Sequence, residues 1–283
     1  MTNLEAIHFA NLLLLKEVDR ICKKNHIQYF LFAGTLLGAI RHKDFIPWDD
    51  DVDIIMTRDN YNKFLSVRHQ LREEFILSVP EEQDFYFDMI TKLLYKDSQL
   101  HNETKEDVYY QKCCNRVSVD FFILDTAYNG FRFALQLNAI RAAYGLLMGW
   151  RYKSNKKEYS GIMKVLTGVL PSIGRFIPIK KLFLLYNWLE KLANNKNYDY
   201  YFISNNQPIG LSDHFPKKAF SSASVGKLGD NEFPIPVDYN TVLSINFNEN
   251  YLELPPEDKR QPMHSKLNEV KIWLDGKLIN DNN

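Results

Sequence analysis

AGTLLGAIRHKDFIPWDDDVDII, residues 33–55, opens on a glycine–hydroxyl pair, Gly34-Thr35, and closes on Asp51 and Asp53 at the head of an apolar run. Side chains alternate along a strand, so the two aspartates are expected to face one way while Val52 and Ile54 enter the core. Carboxylates one strand-step apart repel each other and resist burial. A divalent cation between them reverses that balance. With oxygen ligands only, and neither cysteine nor clustered histidine nearby, the donor set suits Mg2+ or Mn2+ better than zinc. Gly34-Thr35 is placed to start a helix, whose first N–H groups lack partners and attract a phosphate. A plain strand-to-helix turn capped by Thr35 is the simpler alternative.

Working outward, Leu4, Ile7, Leu14, Val18 and Ile21 recur at helical spacing, and Asn25-His26 ends the run. Strands are expected at 27–33, 52–56, 75–79, 87–95 and 115–124, with a short helix at 35–41 and a longer one after Thr57. Asp120 lies between Val119 and Phe121 in the last strand, where a carboxylate is costly unless paired or metal-bound. Arg116 or Arg41 could pair with it. Otherwise Asp51, Asp53 and Asp120 would form a carboxylate cluster able to hold metals for phosphoryl transfer. Asp49 and Asp50 read as turn-capping acids. Arg41, His42 and Lys43 suit phosphate binding, with a solvated basic loop as the alternative, and Lys92 is a weaker candidate for the same task. His42 could serve as an acid or base, although a lone histidine is more often structural.

This order of elements predicts an α+β catalytic core over 1–127, a helical segment over 128–200, and an irregular, proline-rich part over 201–283 that packs back on the core. The 35 basic and 35 acidic residues balance, so nucleic acid is not an expected partner. Cys22, Cys113 and Cys114 make neither a disulfide framework nor a spaced zinc pattern, which suits a reducing cytoplasm. The first twenty residues read as an amphipathic helix rather than a signal peptide, and no apolar run is long enough to span a membrane. Residues 131–191, however, carry eleven Lys or Arg against Glu158 and Glu190, among many apolar side chains. Ordinary surface helices would explain them, as would a platform for peripheral contact with the inner face of a membrane.

A glycine–hydroxyl turn, an Asp-x-Asp entering a strand and a third strand carboxylate resemble the polymerase-beta-type nucleotidyltransferase superfamily. FAGTLLGAIRHKDFIPWDDDVDI more closely resembles the signature of LicD family phosphotransferases, and KLLYKDS (92–98), VSVDFFILD (117–125) and LPPEDKRQPMH (254–264) extend the likeness. The resemblance implies a nucleotidyltransferase-like mixed sheet with flanking helices and a helical insertion. It also implies transfer of a phospho-substituent, phosphocholine first, from a CDP-alcohol donor such as CDP-choline to a cell-surface or lipid-linked glycan acceptor. By position, Gly34 and Thr35 would contact donor phosphate. Asp51, Asp53 and Asp120 would be the catalytic, magnesium-binding residues, and Arg41, His42, Lys43 and Trp48 would line the donor site, with Lys92 beside them. Asp44 departs from the glycine usual in the family. Tyr86, Phe87, Tyr109 and Tyr110 could form a box for a quaternary ammonium, although core packing explains them more simply. A metal-dependent glycosyltransferase using a nucleotide-sugar donor, and a non-catalytic scaffold, are the competing expectations.

Overall fold

The computed structural model describes residues 1–152, 162–263 and 265–280. Thr2 and Glu5 form a reciprocal capping box at the start of α1 (Asn3–Lys24). α1 buries Ile7, Leu14, Val18 and Ile21, the stripe that the spacing predicts. There follow β1 (Phe30–Leu31), α2 (Ala33–Arg41), β2 (Val52–Thr57), α3 (Arg58–Val67), β3 (Phe75–Ser78), β4 (Thr91–Tyr95), β5 (Ser98–Gln99), α4 (Lys105–Tyr109) and β6 (Ser118–Thr126). Three helices come next, α5 (Phe131–Leu147), α6 (Ile162–Gly174) and α7 (Ile179–Glu190). The chain ends with β7 (Tyr200–Ile203), β8 (Phe215–Pro216), β9 (Ala223–Leu228), β10 (Asn231–Pro236), α8 (Tyr239–Phe247), β11 (Lys271–Leu274) and β12 (Lys277–Leu278).

The class is α+β with a mixed sheet. Its strands run β1-β2-β6-β4-β3, and β7 joins β6 and carries β8. β2 and β6 are parallel neighbours, whereas every other pairing in this sheet is antiparallel. β2 is buried on both faces, which explains why Val52, Ile54, Ile55 and Met56 read as a near-continuous apolar run. The first part of β6 instead turns Val119, Phe121 and Ile123 into the core and leaves Ser118, Asp120 and Phe122 half-buried. Burying each such side chain contributes about 1.5–3 kcal/mol. A second apolar cluster, with Ile140, Leu147, Phe183, Tyr186 and Phe202, fills the space between α5, α7 and β7.

Two expectations need correction. The strand expected at 87–95 begins only at Thr91, because Asp88 accepts the Ile90 N–H (3.0 Å) and holds the preceding residues in a turn. The part after residue 201 is not irregular: β7 extends the central sheet, β9 and β10 form a hairpin, and β11 pairs with β5. Pro234 and Pro236 lie in β10, which among the described residues pairs with β9 alone, and an edge strand tolerates residues without an N–H. Among the described residues, no helix is long and apolar enough to cross a membrane.

Candidate active site

Asp53 on β2 lies level with Asp120 on β6, and Asp120 lies level with Lys92 on β4. Residues paired in register share a face, so the three side chains form a row across neighbouring strands, opposite the buried Val52 and Ile54. Lys92 Nζ forms an ion pair with Asp120 Oδ2, and Ser118 Oγ donates to Asp120 Oδ1 at 2.9 Å. The partner of Asp120 is therefore Lys92 rather than Arg116 or Arg41. Asp51 immediately precedes β2 instead of lying within it.

Burial raises the Asp53 carboxyl well above the usual range, and the charges of Asp51, Asp120 and Asp49 add to the rise while Lys92 opposes it. Asp88, close by, is also raised by burial. Burial works against the Lys92 cation, yet Asp120 and Asp88 more than offset it and hold the ammonium charged. Among the described residues, no three His, Cys, Asp or Glu side chains converge as a preformed metal cage. The Lys92 ammonium is the cation that neutralises Asp120.

The α2 start is tied to this row. Ala33 turns the chain out of β1 with φ +43°, a left-handed conformation uncommon outside glycine. Thr35 is buried, and its hydroxyl accepts the Asp53 N–H at 2.9 Å, while the Phe32 N–H donates to the Asp53 carbonyl at 3.0 Å. Thr35 thus positions the strand bearing Asp53, with its own hydroxyl proton left to donate. A Cβ on Gly34 would lie 2.5 Å from Asp49 Oδ2, so glycine lets the Asp49 carboxylate approach the helix N-terminus. An anion is favoured there by the first amides of the helix and by its dipole.

Arg41, His42 and Trp48 gather in a second cluster with Arg260. Arg41 Nη1 donates to the carbonyls of Tyr251 (3.1 Å) and Glu253 (2.9 Å). The Arg260 guanidinium lies 5.5 Å from the Trp48 ring centre, and His42 meets Trp48 edge-on at 5.9 Å. Burial, then the neighbouring Arg260 charge, lowers the Arg41 pKa, and Asp49 opposes them. Asp49 also acts on Asp53, so it links the two clusters electrostatically. Burial and Arg41 lower the His42 pKa and keep the ring neutral at neutral pH. Lys43 is exposed in a left-handed turn (φ +57°), where its carbonyl accepts the Gly229 N–H.

The four aromatic residues do not surround an open space together. Tyr86 is fully buried, edge-on to Tyr144, with Arg151 over its ring. Phe87, Tyr109 and Tyr110 interlock edge to face at 5.1 Å. Packing among themselves, the simpler expectation, accounts for them.

Two residues that sequence reasoning passed over stand out. Asp50, expected as a turn-capping acid, is buried and accepts the N–H groups of Met263 (3.2 Å) and Ser265 (2.6 Å). Arg260 lies within LPPEDKRQPMH, and that motif was the available signal for it.

Residues 26–131 match the LicD/FKTN/FKRP nucleotidyltransferase domain. The chain is 26% identical over 255 residues to the lipopolysaccharide cholinephosphotransferase LicD of Haemophilus influenzae, which covers 89% of this chain and 92% of that protein. A shorter stretch of 62 residues is 40% identical to the human ribitol 5-phosphate transferase FKRP, covering 22% of this chain and 12% of that protein. Another of 47 residues is 51% identical to an uncharacterized protein of Rickettsia prowazekii, covering 16% of this chain and 18% of that one.

Proposed function

Starting from the LicD-family domain at residues 26–131, we propose that this protein is a phosphotransferase. In this reading it moves a phospho-substituent, phosphocholine first, from a CDP-alcohol donor such as CDP-choline to a hydroxyl of a cell-surface or lipid-linked glycan. Its mixed sheet then serves as a nucleotidyltransferase-like scaffold of the polymerase-beta type. The observation that carries the proposal is the row of Asp53 and Asp120 in register, with Asp51 at its edge and the Asp53 carboxyl raised by burial and by its acidic neighbours. Such a cluster works against folding, and strongly perturbed carboxyls of this kind collect at functional sites. The similarity to a lipopolysaccharide cholinephosphotransferase supports the same choice of substrates.

Oxygen donors alone suit a hard divalent cation, and the acidic charges of Asp51, Asp120 and Asp49, which add to burial in raising the Asp53 carboxyl, would be offset by one. Asp51, Asp53 and Asp120 would hold Mg2+ or Mn2+, which when bound would draw off phosphate charge and acidify the acceptor hydroxyl. The remaining contributions come from this chain's own groups. Thr35 fixes Asp53 through its backbone, and the α2 amides favour an anion at Gly34. Arg41 and Arg260 supply positive charge for the CMP leaving group, and the Trp48 face is held by Arg260. Asp120 accepts the acceptor-hydroxyl proton at the oxygen now bonded by Ser118. The acceptor oxygen bonds to phosphorus as the bond from phosphorus to the CMP oxygen breaks in line.

Melting of the purified protein with CDP-choline, CDP-glycerol, CDP-ribitol and UDP-sugars, each with and without magnesium, tests this. A ligand at a hundred times its dissociation constant stabilises by about 2.7 kcal/mol, which a melting curve resolves. Magnesium-dependent stabilisation by a CDP-alcohol, with CMP released on adding acceptor, is the expected result. Stabilisation by a UDP-sugar alone would instead favour a glycosyltransferase, and no response to any donor would favour the scaffold.

A further inference from the structure

The helical part between β6 and β7 carries a surface that the transfer chemistry does not use. α7 buries Leu182, Phe183, Tyr186 and Leu189, and it turns Leu184, Leu185 and Trp188 to solvent, with Leu184 70% and Trp188 61% exposed. Lys181, Leu184, Trp188 and Lys191 follow one another at helical spacing and form one exposed stripe, with Leu185 beside it. The short connection from α6 adds exposed Arg175 and Phe176, the latter 91% exposed. Val169 and Ile173 on α6 are exposed as well. Lys180 is engaged elsewhere, on the carbonyls of Glu81 and Gln83. Glu158 and its neighbours at 153–161 lie outside the described residues, and Glu190 is buried against Arg58. Among the described residues of 131–191, every exposed charged side chain is therefore Lys or Arg.

Single exposed leucines are ordinary on protein surfaces, but Leu and aromatic side chains framed by cations along one helix face are not. That pattern matches a helix lying in the boundary of a bilayer. Its apolar side chains enter the acyl region, Trp sits at headgroup depth, and Lys stems reach back to anionic headgroups. We propose that the α6–α7 turn and the outer face of α7 dock this protein on an anionic membrane surface. Phe176, Leu184, Leu185 and Trp188 enter the interface, and Arg175, Lys181 and Lys191 meet lipid phosphates. A second copy is a poorer occupant, because a two-fold contact would bring the cations of one copy against the same cationic face of the other. The proposal stands apart from the phosphotransferase reading, since it needs none of the carboxylates.

Sedimentation of the full chain with phosphatidylcholine vesicles, and with vesicles that also contain phosphatidylglycerol, tests it. Binding is expected to the anionic vesicles and to weaken as salt is added. The double variants Lys181→Glu/Lys191→Glu and Leu184→Ser/Trp188→Ser should each weaken partition about tenfold or more, with melting temperature unchanged. Lys227→Glu reverses one exposed charge on β9, half the charge change of the double variant, and should leave partition nearly unaltered. Absence of binding to anionic vesicles, or equal binding by all variants, would overturn the proposal. So would a dimer in solution that Leu184→Ser/Trp188→Ser converts to a monomer, because a second copy would then cover the face.

Discussion

Burial and three neighbouring aspartates push the Asp53 carboxyl in one direction, whereas Asp120 carries the Lys92 ammonium. Their substitution should therefore act on stability in opposite senses. Asp53→Asn removes a repelling charge and should raise the melting temperature at neutral pH while abolishing turnover. Its effect should fade in acid: the stability tied to the protonated Asp53 is present at low pH and lost as pH rises through its elevated pKa. Asp120→Asn takes the ion-pair partner from the largely buried Lys92 ammonium, leaving Asp88 as the remaining acid of the two that offset its burial, and should destabilise by about 2 kcal/mol. Urea denaturation of both variants at pH 7 decides the matter, and equal losses would show that Lys92 does not hold Asp120. Both aspartates were legible in the sequence, because a charge inside an apolar strand needs a reason. The partner of Asp120 was not legible. Lys92 meets it only because β4 inserts antiparallel beside β6, a choice of strand order that no local spacing encodes.

Between elements, one buried network ties the helical segment to the sheet. Arg58, at the start of α3, bonds Asp125 of β6, Glu190 at the end of α7 (2.9 Å) and Ser204 Oγ (3.1 Å). Burial drives the Glu190 pKa up to about 7, against the pull of Arg58, with Asp125 competing for the same cation. Because the folded value exceeds the unfolded one, this group's stabilising contribution is complete below about pH 4.5 and is lost as pH rises through about 7. Glu190→Gln should flatten that part of the curve. Relative to the wild type it should gain on the order of 1–2 kcal/mol at pH 8 and little at pH 5, read from denaturation midpoints across the range. Identical pH profiles for the two proteins would remove Glu190 as the titrating group. Amphipathic α1 and the apolar runs of β2 and β6 could be read from periodicity, since burial alone fixes them. The late start of β4 and the hairpin of β9 and β10 could not. A side-chain turn at Asp88 delays the start of one strand, and a free edge admits the prolines that the sequence argued against.

Across the whole molecule, the chain returns from its far end to close over the loop between α2 and β2. Arg41 holds the carbonyls of Tyr251 and Glu253, Arg260 covers Trp48, and Asp50 takes two N–H groups that lie 213 and 215 positions further along the chain. An acid in the run DDDVD looked like solvated turn chemistry because its partners are so remote in sequence. The likeness of LPPEDKRQPMH to a family motif marked the far segment as important without saying what held it. The clasp makes a specific demand on Asp50. Asp50→Ala leaves two backbone donors without their acceptor and should lower stability by about 2–3 kcal/mol. It should also open residues 251–265 to limited proteolysis while the sheet stays protected, because β11 remains paired with β5 and Asn280 stays bonded to Val270. Asp50→Asn keeps one accepting oxygen and should fall between the two. Mass spectrometry of the first cleavage products reads the outcome directly. A cut within 251–265 in Asp50→Ala, but not in the wild type, would establish that this aspartate holds the far segment over the site. Resistance in both would mean that Arg41 and the stacking of Arg260 on Trp48 suffice.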